Sequence, residues 1–65
     1  MIVKLYNSRR VFLGHMELTG FTSEDTAASA VVEALTETKF MEVKYKNEME
    51  YVRSSEIVRF KICEQ

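Results

Sequence analysis

The sequence predicts an α+β domain in which five antiparallel strands form one sheet and a single helix packs on one face, in the order ββαβββ. Apolar and charged residues alternate through most of the chain's last third, which is typical of strands with one buried face. A similar alternation runs up to Gly20, and the segment between the two follows a helical spacing instead. At 65 residues, the chain predicts one domain, residues 1–65.

The first two strands are predicted to form a hairpin. The polar segment 7–10 separates two alternating stretches, and its four residues are the expected loop. This register places Leu5 opposite Phe12 and Gly14 opposite Val3. One face then carries the core residues Met1, Val3, Leu5, Phe12, Met16 and Leu18.

A helix is predicted from about Ser23 to Thr36. Thr22 and Ser23 are candidate N-caps, and Glu24 and Asp25 follow at the helix end where the dipole favours acids. The apolar residues recur at three- and four-residue spacings and define one stripe, which consists of Ala27, Ala30, Val31, Ala34 and Leu35. Because these side chains are mostly small, we expect the helix to lie close on the sheet.

The three strands after the helix are predicted to form a meander. A three-residue loop at 46–48 places Tyr45 opposite Met49, and a two-residue loop at 54–55 places Met49 opposite Phe60. Both registers give one core face, which carries Met41, Val43, Tyr45, Met49, Tyr51, Val58, Phe60 and Ile62. The helix is expected to return the chain parallel to the second strand, so that the third strand inserts beside the first and the spatial order is 2-1-3-4-5.

The composition argues against most chemistry. The chain has one cysteine, Cys63, and one histidine, His15, so one copy cannot form a disulfide or a Cys/His metal site. His15 is a conceivable general base, but no nucleophile is expected near it. No segment approaches the length of a membrane span. We therefore expect a cytoplasmic protein that is not an enzyme, with no catalytic residue, cofactor, metal, membrane or small-molecule substrate.

The side of the sheet opposite the helix, here called the uncovered face, is the expected interaction surface. An apolar set of some size on a small domain usually marks an interface. The residues predicted on it are Ile2, Tyr6, Val11, Leu13, Val52 and Ile57. The main hypothesis is a protein-interaction module that forms a homodimer or docks on another protein and inhibits or adapts its activity. The small size alone suggests an accessory protein of a phage or mobile element.

Nucleic-acid binding is the alternative hypothesis. Its candidate residues are Lys4, Arg9, Arg10, Lys44, Lys46, Arg59 and Lys61. Two expectations argue against it. Lys44, Glu50 and Arg59 are predicted to form a cross-strand row of alternating charge, and most aromatic residues are assigned to the core, where they cannot stack on bases.

Overall fold

The computed structural model describes residues 1–63 and confirms the α+β fold, with five antiparallel strands in one sheet and one helix. The strands and the helix follow the predicted sequence order. They are β1 (Ile2–Tyr6), β2 (Phe12–Glu17), α1 (Glu24–Glu37), β3 (Phe40–Tyr45), β4 (Glu48–Arg53) and β5 (Arg59–Cys63), with a 3-10 turn at Ser54–Glu56.

The helix agrees with the sequence prediction. Ser23 is the N-cap, and its side-chain oxygen accepts a hydrogen bond from the Thr26 backbone N–H at 3.3 Å. Ala27 and Val31 are the fully buried residues of α1, at 0% and 1% exposure. The alanine-rich stripe therefore faces the sheet, as its spacing indicates.

The strand order differs from the prediction. It is β4-β3-β2-β1-β5, so β3 lies beside β2 and antiparallel to it, with His15 opposite Lys44. The predicted order, 2-1-3-4-5, requires that the helix alone carries the chain across the sheet. Segment 18–23 is long enough, at about 3.3 Å per residue, to cross the sheet before α1 begins. The helix then brings the chain back to the end of the sheet that it left, and β3 continues antiparallel.

The first hairpin is tighter than predicted. Asn7 accepts a backbone hydrogen bond from Arg10 at 3.0 Å and donates one to Val11 at 3.1 Å, which closes a three-residue loop. Arg10 has a φ of 65°, as such loops require at their last position. The observed register places Leu5 opposite Gly14, and a bulge shifts Phe12 opposite Tyr6.

The β3–β4 hairpin is also tighter, because a two-residue turn replaces the predicted three-residue loop. Lys46 and Asn47 have φ values of 51° and 65°, the signature of a type I′ turn. Tyr45 therefore pairs with Glu48, and Lys44 pairs with Met49. A one-residue slip moves every side chain of a strand to the other face, so the prediction that Met49 and Tyr51 lie in the core is wrong.

The predicted pairing of β4 with β5 is wrong. The segment expected to be a two-residue loop forms the 3-10 turn, and the chain then crosses to the far edge of the sheet, where β5 pairs with β1. Ser54 is buried in this crossing. Its backbone N–H donates to the Lys39 carbonyl at 2.8 Å, and its hydroxyl lies 3.1 Å from that of Thr38. These bonds direct the chain back across the helix side of the sheet.

The core lies between the sheet and α1. Its buried members are Val3, Leu5, Val31, Met41, Val43 and Ile57. Three residues predicted on the uncovered face belong here instead. Ile57 is 6% exposed because it lies in the crossing that follows Ser54 and packs in the core, Val52 pairs with the buried Met41, and Leu13 packs against the core at the β1–β2 bulge.

Candidate interaction surface

The uncovered face follows from the pairing register. Its residues pair with one another across neighbouring strands and alternate with the buried residues of the same strands. By strand they are Ile2, Lys4 and Tyr6; Phe12, His15 and Glu17; Phe40, Glu42 and Lys44; Met49, Tyr51 and Arg53; and Arg59, Lys61 and Cys63.

Three large side chains form what we call the apolar patch: Phe40, Met49 and Tyr51. They are 51%, 56% and 69% exposed, and all three lie on the β3–β4 hairpin. Exposing three large apolar side chains to water on one hairpin is unfavourable in free energy, and burying them against another surface would be favourable. The β3–β4 side of the uncovered face is therefore the strongest candidate for an interface.

Polar neighbours hold the apolar patch in place. The Tyr51 hydroxyl donates a hydrogen bond to Glu42 Oε2 at 2.9 Å, and the Arg53 guanidinium lies 5.2 Å from the centre of the Phe40 ring. The hydrogen bond to the Glu42 carboxylate, and then its negative charge, raise the pKa of Tyr51 above 10.0. Both aromatic rings are thus restrained before any partner arrives, which lowers the entropy cost of binding.

A groove of about 560 Å³ adjoins the apolar patch. It opens between β2 and β3, whose described pairing is limited to His15 and Lys44. The lining residues are His15, Met16, Glu17, Thr38, Phe40, Met41, Glu42, Lys44 and Met49. Three of them are methionines, whose flexible side chains adapt to differently shaped apolar groups. The groove therefore adds a concave surface beside the apolar patch.

A second region of the uncovered face, the basic patch, consists of Lys4, Arg59 and Lys61. Lys4 lies directly opposite Lys61, and Arg59 lies opposite Tyr6. The Lys61 ammonium is 6.0 Å from the centre of the Tyr6 ring. Like charges directly opposite each other destabilise a sheet, so the Lys4–Lys61 pair is unfavourable.

The predicted charge row is not formed. Glu50 pairs with Val43 and therefore faces the helix side, while Lys44 pairs with Met49 and Arg59 with Tyr6. The expectation that these charges neutralise one another across neighbouring strands is wrong. The one-residue slip that exposes Tyr51 moves Glu50 to the other face, and the pairing of β5 with β1 takes Arg59 to the far edge of the sheet. Among the other predicted bases, Arg9 and Arg10 lie in the first hairpin loop, and Lys46 lies in the β3–β4 turn.

The aromatic residues also depart from the prediction. Phe12 is predicted in the core but is 38% exposed, and its ring lies 5.7 Å from that of Tyr6 and 6.0 Å from that of Tyr45. The bulge between Leu5 and Tyr6 causes the change, because it places Phe12 on the same face as Tyr6. This aromatic row borders the basic patch.

Of the predicted interface residues, Ile2 and Tyr6 lie on the uncovered face, and Val11 lies outside the paired strands. Ile2 and Tyr6 are half-buried, and Val11 is 53% exposed beside the first hairpin loop. Phe40, Met49 and Tyr51 are interface candidates that the sequence did not predict. A two-residue turn at Lys46 and Asn47 is the signal for Met49 and Tyr51, because asparagine is common in type I′ turns.

The two residues with distinctive chemistry are apart in the register. His15 lies between Lys4 and Lys44, whereas Cys63 lies opposite Ile2. Within residues 1–63, no three metal-ligating side chains come together. Over the same residues, no helix has the length and apolar character needed to cross a membrane.

No protein-family model matches this chain, and neither a curated protein nor a solved structure shows significant similarity to it.

Proposed function

We propose that this chain is a non-enzymatic protein-interaction module that works by associating with a protein surface, either a second copy or a different protein whose activity it then modulates. The observation that carries the proposal is the exposure of Phe40, Met49 and Tyr51 on one hairpin. A cytoplasmic location remains a prediction that rests on the single cysteine.

The chemistry of the apolar patch favours a protein partner. Aromatic residues, methionine and arginine are enriched in protein interfaces, and all of these occur where Phe40, Met49, Tyr51 and Arg53 meet. The Glu42 carboxylate lies among them, hydrogen-bonded to Tyr51. A fixed negative charge at this position repels phosphate but pairs readily with a basic or hydroxyl side chain of a protein.

The test is affinity capture with matched variants. Phe40→Ser removes an exposed ring from the apolar patch, and Val32→Ser removes a side chain of similar exposure, 53%, from α1. We expect one protein, or the chain itself, to bind wild type and the Val32→Ser variant but to bind Phe40→Ser at least about tenfold more weakly, a loss of about 1.4 kcal/mol.

Rebinding between purified components is the decisive measurement. Equal affinity of all three chains for the purified partner would reject the apolar patch as the binding surface. Circular dichroism of each variant checks that the fold is unchanged, since substitutions at exposed positions are usually within about 0.5 kcal/mol of wild type.

A second candidate function is the binding of single-stranded nucleic acid, and a specific observation favours it. The basic patch adjoins the row formed by the exposed Phe12 and the half-buried Tyr6 and Tyr45, and aromatic rings beside basic side chains are the usual platform for single strands. The charge row predicted against this function is not formed, and two of the aromatic residues assigned to the core, Phe12 and Tyr51, are exposed. The net charge of −1 still opposes long-range attraction of a polyanion.

Titration of labelled single-stranded DNA and RNA at about 150 mM salt decides between the two functions. Under the protein-interaction proposal, binding is no tighter than the non-specific level of about 10⁻⁴ to 10⁻⁶ M. Tighter binding that is lost in Lys4→Ala/Lys61→Ala but kept in Phe40→Ser would establish the nucleic-acid function instead.

A further inference from the structure

Strand β4 is an edge strand with an unusually regular outer side. It pairs with β3 over all six of its residues without a bulge, and the described sheet continues on that side only. The sequence contains no proline to interrupt it. Soluble monomers usually protect such edges with bulges, prolines or inward-pointing charges. β4 has none of the first two, and although Glu48 and Glu50 are on the helix side, both are exposed and leave the outer backbone groups accessible.

The turn geometry identifies which backbone groups point outward. In a hairpin closed by a two-residue turn, the flanking pair, Tyr45 and Glu48, is hydrogen-bonded, and pairs then alternate along the strands. The N–H and C=O groups of Glu48, Glu50 and Val52 therefore face β3. Those of Met49, Tyr51 and Arg53 face away from the sheet, and these are the groups that a further strand would bond.

From these observations we infer that β4 pairs antiparallel with β4 of a second copy, with Tyr51 opposite Tyr51 of that copy on a two-fold axis. This inference rests on the proposed function, because it names a second copy as the protein partner. Met49 then lies opposite Arg53, and Glu50 lies opposite Val52. All three outward-facing residues of each strand form hydrogen-bonded pairs, and no two like charges are opposed.

The neighbouring registers are less favourable. Centring the axis on Glu50 opposes two carboxylates and uses only two of the three outward-facing residues. Centring it on Met49 opposes Glu48 and Glu50 of the two strands. Centring it on Val52 leaves only a short overlap, because Arg53 ends the strand. The Tyr51 register also places Met49 and Tyr51 of one copy beside Arg53 and Tyr51 of the other on the uncovered face, so the two apolar patches adjoin around the axis.

Disulfide trapping tests the inference. In a Cys63→Ser background, we expect Tyr51→Cys to form a covalent dimer in a glutathione buffer about tenfold faster than Glu50→Cys or Met49→Cys, because opposed residues bring the two thiols within bonding range. A mixture of Met49→Cys and Arg53→Cys chains should cross-link to each other faster than either does to itself. That pair leaves Tyr51 intact, so it tests the register even if Tyr51→Cys weakens the dimer.

Two outcomes would overturn the inference. One is fastest cross-linking through Glu50→Cys, which indicates a different register. The other is a monomer in sedimentation equilibrium of the wild-type chain across the micromolar range. A monomer that still binds a purified partner through Phe40 would reject the dimer but keep the proposed function. A monomer that binds no partner would reject both the dimer and the proposed function.

Discussion

Gly14 occupies a position that no other residue can take without strain. Its φ of 137° lies in a region that side chains rarely adopt, and a Cβ there would come within 2.9 Å of the Lys44 carbonyl oxygen. The glycine lets β2 bulge while β3 stays close. We expect Gly14→Ala to cost at least about 3 kcal/mol of unfolding free energy, since backbone strain of about 1–3 kcal/mol adds to a backbone clash.

Gly20→Ala is the matched control, measured with Gly14→Ala by denaturant unfolding. Gly20 also has a positive φ, 83°, but a Cβ added there would meet nothing within 4 Å. It should therefore lose only the strain, about 1 kcal/mol. Equal losses at the two glycines would show that the close approach between Gly14 and Lys44 is absent in solution.

The hydrogen bond between Tyr51 and Glu42 predicts a pH effect on one tyrosine. The carboxylate raises the pKa of Tyr51 in the folded chain, so the bond contributes its full stability below pH 10.0 and loses it as the pH rises through the raised pKa. Glu42→Gln should lower the pKa of Tyr51, measured by tyrosinate absorbance. In a Tyr51→Phe background the same substitution should leave the titration unchanged, and a shift there would assign the effect to another tyrosine.

At the scale of the elements, the sequence predicted what depends on periodicity and missed what depends on turn geometry. The helix spacing around Val31 identified α1 and its buried face correctly. The β3–β4 register failed by one residue because Lys46 is an unusual residue at a positive φ, and lysine gives little sign of a type I′ turn. That one error hid the apolar patch, since Met49 and Tyr51 change faces with the register.

The turn itself offers a test of this register. Asn47 has a φ of 65°, where glycine is unstrained, so Asn47→Gly should stabilise the chain by a few tenths to about 1 kcal/mol. Ser55→Gly is the control, because Ser55 lies in the 3-10 turn, where added backbone freedom should destabilise by about 0.5–1 kcal/mol. Denaturant midpoints that move in the same direction for both variants would contradict the type I′ turn.

At the scale of the whole molecule, charge is divided between the two sides. α1 carries Glu24, Asp25, Glu33 and Glu37 without a base, whereas the uncovered face holds the basic patch. The chain is nearly neutral in total, with a net charge of −1, but its negative and positive charges are concentrated on opposite sides of the sheet. Composition alone shows the segregation. It does not show which strands are neighbours, because that depends on how segments 18–23 and 54–58 cross the sheet.

The strand order can be tested directly through the native cysteine, Cys63. Ile2 lies opposite Cys63 in the β1–β5 pair, whereas the predicted order would separate them by two intervening strands. Ile2→Cys should form an intrachain disulfide on mild oxidation, and it should raise the unfolding free energy by up to about 4 kcal/mol because the closed loop spans nearly the whole chain.

Lys4→Cys is the control, since Lys4 lies opposite Lys61 and is offset from Cys63 by two residues. Mass spectrometry of the oxidised monomer should show the bond in Ile2→Cys and little in Lys4→Cys. If Ile2→Cys keeps both thiols reduced under conditions that oxidise dithiothreitol, β5 does not pair with β1.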